Sequence, residues 1–423
     1  MPNFVLLTPK HLMESSVENW VLAIQEPAIL FTGIEAKKYI EANKKIFNVI
    51  FENIFYFENY LDSDLIDKEI LSLGKNKIIH KIIALSEVDI LRAARIREKL
   101  GIEGQHIESA MAFRDKYKMK QLAEKAGVLT PKYCKVNNTI DLMQFIDQNK
   151  YPVVIKPIAG RGSSSTFIVK NATELDKYLA QGIFSKFDCT TYLLVEEFIA
   201  GDIYHVDGHI LNNELSFISA SRYINNCLNF VYGASLGSIT LSDSNSLNSR
   251  LIKNAKQILF DAFSAPRDTL FHIEFFVADN LDIYLCEAAS RLGGGNINEQ
   301  LSLAYGYDLK IKFIQSYFSE NIACFSGKQK TVASRLLIPP RTRNILKKIP
   351  ESCPFDFVKS YRQNGIINKL YYDITMSNQE IAHFLFTATT EDEALHNMKQ
   401  LNNWFNHETE WESLDDEIRK ITT

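Results

Sequence analysis

The sequence predicts a multidomain protein that combines α/β and α+β architecture, and three observations carry that prediction. Apolar, β-branched runs alternate with helical patterns over residues 1–110, strand–turn–strand pairs fill the middle, and short strands leading to one amphipathic helix close the chain. Strands alternating with helices argue an open parallel sheet, and strands joined by tight turns argue antiparallel ones. At 423 residues the chain has room for about two to four compact units, each with its own core.

Taken in order, PNFVLLT reads as a strand, 14–26 as helical, PAILFTG as a strand, 34–45 as a helix and KIFNVIFENI as a strand, and a further helix leads to the apolar KIIALS. Glu87, just after KIIALS, stands at the carboxyl end of a strand, the edge where open sheets bind ligands. The plainer reading, a carboxylate at a helix start, is preferred for it.

YPVVIKPIAGRGSSSTFIVK is strand, small-residue loop, strand, with Lys156 closing the first strand. Gly160 and Gly162 let a backbone approach phosphate closely, and loop N–H groups with the hydroxyls of Ser163, Ser164 and Ser165 can donate to its oxygens. No Gly-Lys-Ser/Thr follows and no helix begins there, so the loop is neither the Walker nor the dinucleotide-binding pattern. TYLLVEEFIAGDIYHVDGHILNNELSF is an apolar strand running into Glu196, Glu197, Phe198 and Ile199, then a turn and a second strand through Asp207. Such a crossover can offer an adenine both an apolar sandwich and hydrogen-bond acceptors. Residues 221–250, rich in Gly, Ser and Asn, read as a loop-rich insertion.

In FHIEFFVADNLDIYLCEAASRLGGG, a two-residue turn at Asn280 and Leu281 would set Glu274 directly opposite Glu287. Facing side chains lie about 5 Å apart, and like charges there repel unless something neutralises them. A divalent cation shared with phosphate oxygens is the obvious neutraliser. After residue 330 short strands alternate up to a final helix beginning near Thr390 or Glu391, with Ala394, Met398, Leu401 and Phe405 on one face as a core stripe.

Composition agrees. Hydrophobic residues at 46%, charged residues at 23% and a net charge of −4 describe a globular protein with no electrostatic case for nucleic acid. The six cysteines are scattered without CxxC spacing, suggesting neither zinc nor a disulfide framework. No run is apolar enough for a membrane span, and the first residues lack a basic start and long apolar core, so a cytoplasmic setting is expected.

In this order and spacing the segments resemble the ATP-grasp family of carboxylate–amine ligases over about residues 80–310. The form EAASRLGGG is similar to the bacterial L-amino acid ligases within it. The resemblance implies a pre-ATP-grasp α/β domain at 1–110, an ATP-grasp domain at 111–320 whose small lobe (132–195) and large lobe (196–320) sandwich ATP between antiparallel sheets, and an α+β cap at 321–423 completing the large lobe. It further implies that Lys116 and Lys156 meet the ATP phosphates and that Gly160, Arg161, Gly162, Ser163, Ser164 and Ser165 form the loop over the β- and γ-phosphates. By the same resemblance Glu196, Glu197, Phe198 and Ile199 contact adenine, and Asp202 takes the ribose where many members have an acid at the place of Ile203. Glu274 and Glu287 would hold one or two Mg²⁺ or Mn²⁺ ions, and Arg291 would meet the acyl phosphate or substrate carboxylate. Ala288 and Ala289 stand where many members have a further metal-binding Asn, leaving Asn296 or Asn298 as substitutes. The 221–250 insertion would cover the acceptor pocket, and a homodimer is the family expectation.

That resemblance implies γ-phosphoryl transfer to a carboxylate, attack by an amine, and release of an amide, ADP and phosphate. Lys156 and Arg291 would carry the charge stabilisation, and His205, His209 and His272 are the candidate bases, each read more simply as structural. Two other readings stay open: a thiol or carrier-protein acceptor, and a nucleotide-binding subunit without turnover.

Overall fold

The computed structural model describes residues 3–9, 11–160, 162, 165–184, 192–319 and 324–414. Its first four strands are β1 (Asn3–Leu7), β2 (Ala28–Gly33), β3 (Phe51–Phe57) and β4 (Ile79–Ala84), paired in parallel in the order β3-β2-β1-β4. KIFNVIFENI does not form one strand. Lys44–Ile50 is helical and the strand begins at Phe51, because Phe47 and Ile50, three residues apart, are buried on one helical face.

A small lobe follows, built from β5 (Tyr133–Val136), β6 (Val153–Pro157), β7 (Phe167–Val169) and β8 (Leu193–Glu197) in the antiparallel order β5-β8-β6-β7. It has its own core, including Val136, Leu142, Phe145, Ile155 and Val195.

The rest of the chain contributes β9 (Gly201–Leu211), β10 (Glu214–Ile224), β11 (Leu236–Thr240), β12 (Thr269–Ala278), β13 (Ile283–Ala289), β14 (Val332–Ile338), β15 (Asn344–Lys348), β16 (Val358–Gln363), β17 (Leu370–Tyr371), β18 (Ala382–Ala388) and β19 (Glu410–Ser413). Eight of these make one antiparallel sheet in the order β13-β12-β9-β10-β11-β14-β18-β16, and β17-β15-β19 form a small separate one. The residues beyond 320 therefore run into the large lobe's own sheet, with the final helix Glu391–Glu408 packing Ala394, Met398, Leu401 and Phe405 into the core. Its N-cap is Thr390, whose side chain accepts from the Glu393 N–H.

The expected loop-rich insertion at 221–250 is not a loop. It closes β10, forms the helix Cys227–Val231, lays β11 fully buried in mid-sheet and opens the helix Ser246–Gln257. Small polar residues read as a turn signal here because their burial against neighbouring strands is a tertiary fact.

One core cluster joins Phe4, Leu6, Trp20 and Phe47 of the N-terminal domain to Phe217, Leu270, Leu301, Leu309 and Ile314 of the large lobe. Among the described residues no helix is long and apolar enough to cross a membrane.

Candidate active site

Lysines and carboxylates converge where the small lobe meets β12 and β13. Lys116 heads the helix Lys116–Lys125, started by Asp115, whose carboxylate accepts from the Tyr117 and Lys118 N–H groups, and closed by Gly127 at φ +78°. Its Nζ lies 3.0 Å from the Gly160 carbonyl and 3.1 Å from Glu287 Oε2. One turn on, Lys120 is fully buried and sits 2.8 Å from Glu196 Oε1, while Lys156 reaches Glu196 Oε2 at 2.6 Å. Burial would raise the Glu196 carboxyl, but Lys120 and Lys156 together hold it below the ordinary carboxylate range. Burial likewise depresses Lys120, whereas for Lys156 the attraction of Glu196 reverses that effect.

Glu274 and Glu287 face each other in register. The turn differs from the expected two-residue form: Ala278 and Asp282 close a three-residue loop with Leu281 at φ +66°, and one extra residue at Cys286 bulges β13 so that the glutamates still meet. Their side chains are 16% and 27% exposed, so each keeps part of its surface open. Glu274 accepts from Tyr223 Oη at 3.1 Å and bonds His272 Nε2 at 3.2 Å. Burial would raise the Glu287 carboxyl, but Lys116 and Lys156 pull it well below its usual range. Two carboxylates on neighbouring strands offer the hard oxygen donors that Mg²⁺ prefers.

Arg291 does not reach into the cleft unpaired. Its Nε is tightly bonded to Glu87, whose other oxygen is held by Arg114 Nη1. Burial would raise the Glu87 carboxyl, yet Arg291 and Arg114 keep it lowered. Glu87 is thus no simple helix-start carboxylate; it braces two arginines beside Glu287.

Residues 113–293 match the ATP-grasp domain family. The chain carries an ATP-grasp domain. Over 260 residues it is 23% identical to the L-arginine-specific L-amino acid ligase of Bacillus subtilis, covering 61% of this chain and 62% of that protein. It is 26% identical over 148 residues to the carbamoyl phosphate synthase large chain of Thermotoga maritima, 34% of this chain and 13% of that one. The chain therefore spans less than two thirds of the curated relatives it matches. The solved L-amino acid ligase from Bacillus licheniformis shares the fold from end to end, with a TM-score of 0.74 and 16% identity over 98% of this chain and 99% of that one.

The small-residue loop after Lys156 brings Gly160 beside Lys116, with Gly162 at φ +57° and Ser165 at φ +55°. Arg161, Ser163 and Ser164 lie outside the described residues. At the hinge, the Glu197 N–H donates to the Lys132 carbonyl, Phe198 is exposed and Ile199 half-buried, so backbone and apolar surface are what the crossover offers. The Glu196 carboxylate is taken up by Lys120 and Lys156. Asp202 pairs with Arg222 at 2.8 Å, and both side chains are largely exposed.

Asn298 is engaged by its own neighbours, donating to Asp308 and accepting from the Lys310 N–H. Asn296 stays beside the site at φ +67° with its Nδ2 buried and unpartnered. The histidines are no free bases. His205 bonds Asp207 at 2.5 Å and Ser238 at 2.8 Å, and burial lowers its pKa despite Asp207. His272 lies between Asp207 and Glu274; burial opposes its charge, but those acids raise it to about 9. His209 is remote, its ring parallel to those of Phe217 and Tyr307 with centroids 6.4 and 5.5 Å away. Gly293 is required where it stands, since a Cβ there would meet His272 Nδ1 at 2.8 Å.

Sequence reasoning missed Lys120, Arg114 and Tyr223. Only Lys120 left a signal, its four-residue spacing from Lys116, which puts both on one helical face.

Proposed function

We propose that this protein is an ATP- and Mg²⁺-dependent ligase that converts the carboxylate of an amino acid to an acyl phosphate and passes the acyl group to an amine, releasing ADP and phosphate. The observation that supports it most is the junction of Lys116 and Lys156 with the facing Glu274 and Glu287. Phosphoryl transfer asks the protein mainly for positioning and charge neutralisation, and this junction offers both. Lys116, Lys156 and the N–H groups of the Gly160–Ser165 loop would receive the phosphates, with the backbone of 197–199 against the adenine. Glu274 and Glu287 would hold Mg²⁺, which when bound neutralises charge between the phosphates. Arg291, oriented by Glu87, would steady the oxyanion formed as the amine attacks. The curated relative named an L-amino acid ligase supports the amino-acid reading.

Incubating the protein with Mg·ATP and pooled amino acids and small carboxylates should release ADP and phosphate only when a carboxylate and an amine are both present. AMP and pyrophosphate would overturn the mechanism, and turnover only with a thiol or carrier protein would move the acceptor. Glu287→Gln should lower turnover at least about 100-fold while nucleotide still binds; turnover at the parent rate would refute the metal assignment.

A further inference from the structure

We propose that Arg335 and Asn296 form a pocket for the α-carboxylate of the amine-donating substrate, which is then itself an amino acid; this rests on the ligase reading above. The register of the eight-stranded sheet puts Glu287, Glu274, His205, Tyr223, Ser238 and Arg335 on one face, strand after strand: Glu287 pairs with Glu274, Glu274 with His205, Tyr223 with Ser238, and Ser238 with Arg335. His205 and Tyr223 come to the same face because His205 pairs with Ser221, two residues before Tyr223.

Arg335 is 1% exposed, and among the described residues no carboxylate pairs with it. Its Nη1 is tightly bonded to the Gly295 carbonyl, its Nε has no partner, and its guanidinium carbon lies 5.7 Å from the Tyr223 ring. Arg114 and Arg291 in the same cleft share Glu87 as a counter-charge. A buried guanidinium is strongly disfavoured unless an anion meets it, and a ring face is a much weaker substitute. Asn296 follows Gly295 directly and leaves a second buried N–H donor open. Gly295 joins the two groups and has to be glycine, for its φ is +65° and a Cβ would come within 2.5 Å of Arg335 Nη1.

Two unpartnered donors, one a planar cation, suit a carboxylate. Position selects which carboxylate. Tyr223 faces Arg335 with its ring and gives its hydroxyl to Glu274, so the pocket is one side chain away from the proposed metal acids. Lys116 approaches from the other side, at Glu287. A zwitterion laid along this floor would have its carboxylate at Arg335 and its amine toward the glutamates, where the acyl phosphate would form.

The test uses the full chain with Mg²⁺ and a non-hydrolysable ATP analogue, titrated calorimetrically with the free proteinogenic L-amino acids and with their α-carboxamides, alongside ADP release. At least one amino acid should bind about 30-fold or more tightly than its carboxamide, and Arg335→Gln should erase that preference while the analogue's affinity stays within about 2-fold. Arg335→Lys, which keeps the charge, should retain part of the preference, and Asn296→Gly, suited to the positive φ, should weaken the acid about 3- to 10-fold. A preference that survives Arg335→Gln, equal weakening of acid, carboxamide and nucleotide, or no amino acid binding at all would overturn the pocket. Arg335-dependent binding without ADP release from any pair would sink the ligase reading and leave the pocket. ADP release with non-acid amines as efficiently as with amino acids would do the reverse.

Discussion

At the scale of the residue, Lys120 shows what burial does to a charge. It has no solvent and one carboxylate, Glu196, which it shares with Lys156. Replacing it with methionine leaves Glu196 half-neutralised in the interior, so Lys120→Met should cost about 3 kcal/mol in urea unfolding, several times what an exposed lysine would. His209 makes the opposite case. Neither of its ring nitrogens has a partner, and burial pushes its pKa down to about 3. The unfolded chain, with a pKa near about 6.5, then binds a proton that the folded chain refuses between those two values. Stability is intact above the upper value and is lost as pH falls toward the lower, by up to about 1.4 kcal/mol per pH unit. His209→Phe should remove that slope in unfolding measured from neutral to acid pH and leave ligase turnover unchanged. The facing of Glu274 and Glu287 was legible in the sequence because hairpin spacing is a local property, whereas the meeting of Lys116 with Glu287 and of Lys156 with Glu196 took the fold. The partners of Glu196, Glu87 and Arg335 were not legible, because each pair joins segments far apart in the chain.

At the scale of the element, the β12–β13 hairpin reaches the expected glutamate pairing by an unexpected route. A three-residue loop shifts the register by one and the bulge at Cys286 shifts it back, so the sequence pointed to the right pair through the wrong turn. Leu281 carries the strain of that loop, 57% exposed and in the left-handed region. Leu281→Asn should therefore raise stability by about 1 kcal/mol, read as a higher melting temperature with unaltered kinetics. The final helix was legible because its cap at Thr390 and its apolar stripe are both local signals. β11 was not, because a short stretch of small residues becomes a buried central strand only when β10 and β14 flank it.

At the scale of the whole molecule, the N-terminal sheet and the large lobe share one hydrophobic core and are expected to unfold together. Trp20 is fully buried in their shared core, with its indole N–H donated to the Leu12 carbonyl at 3.0 Å. Trp20→Ala should cost about 3–5 kcal/mol and lower a single calorimetric transition that includes the large lobe; two separated transitions would contradict the shared core. The small lobe, with its own core, is the part free to differ in stability. The sequence by itself determined the parallel and antiparallel character of the sheets, the small-residue loop after Lys156 and the acidic hairpin, since periodicity, turn residues and motif spacing are local properties of a chain. Tertiary structure alone decided that Glu196 neutralises two lysines, that Glu87 braces Arg291, that residues 221–250 lay a buried strand in mid-sheet and that Arg335, among the described residues, is buried without an acid. Each of those depends on which distant segments exclude water from one another, and that is settled only when the chain is packed.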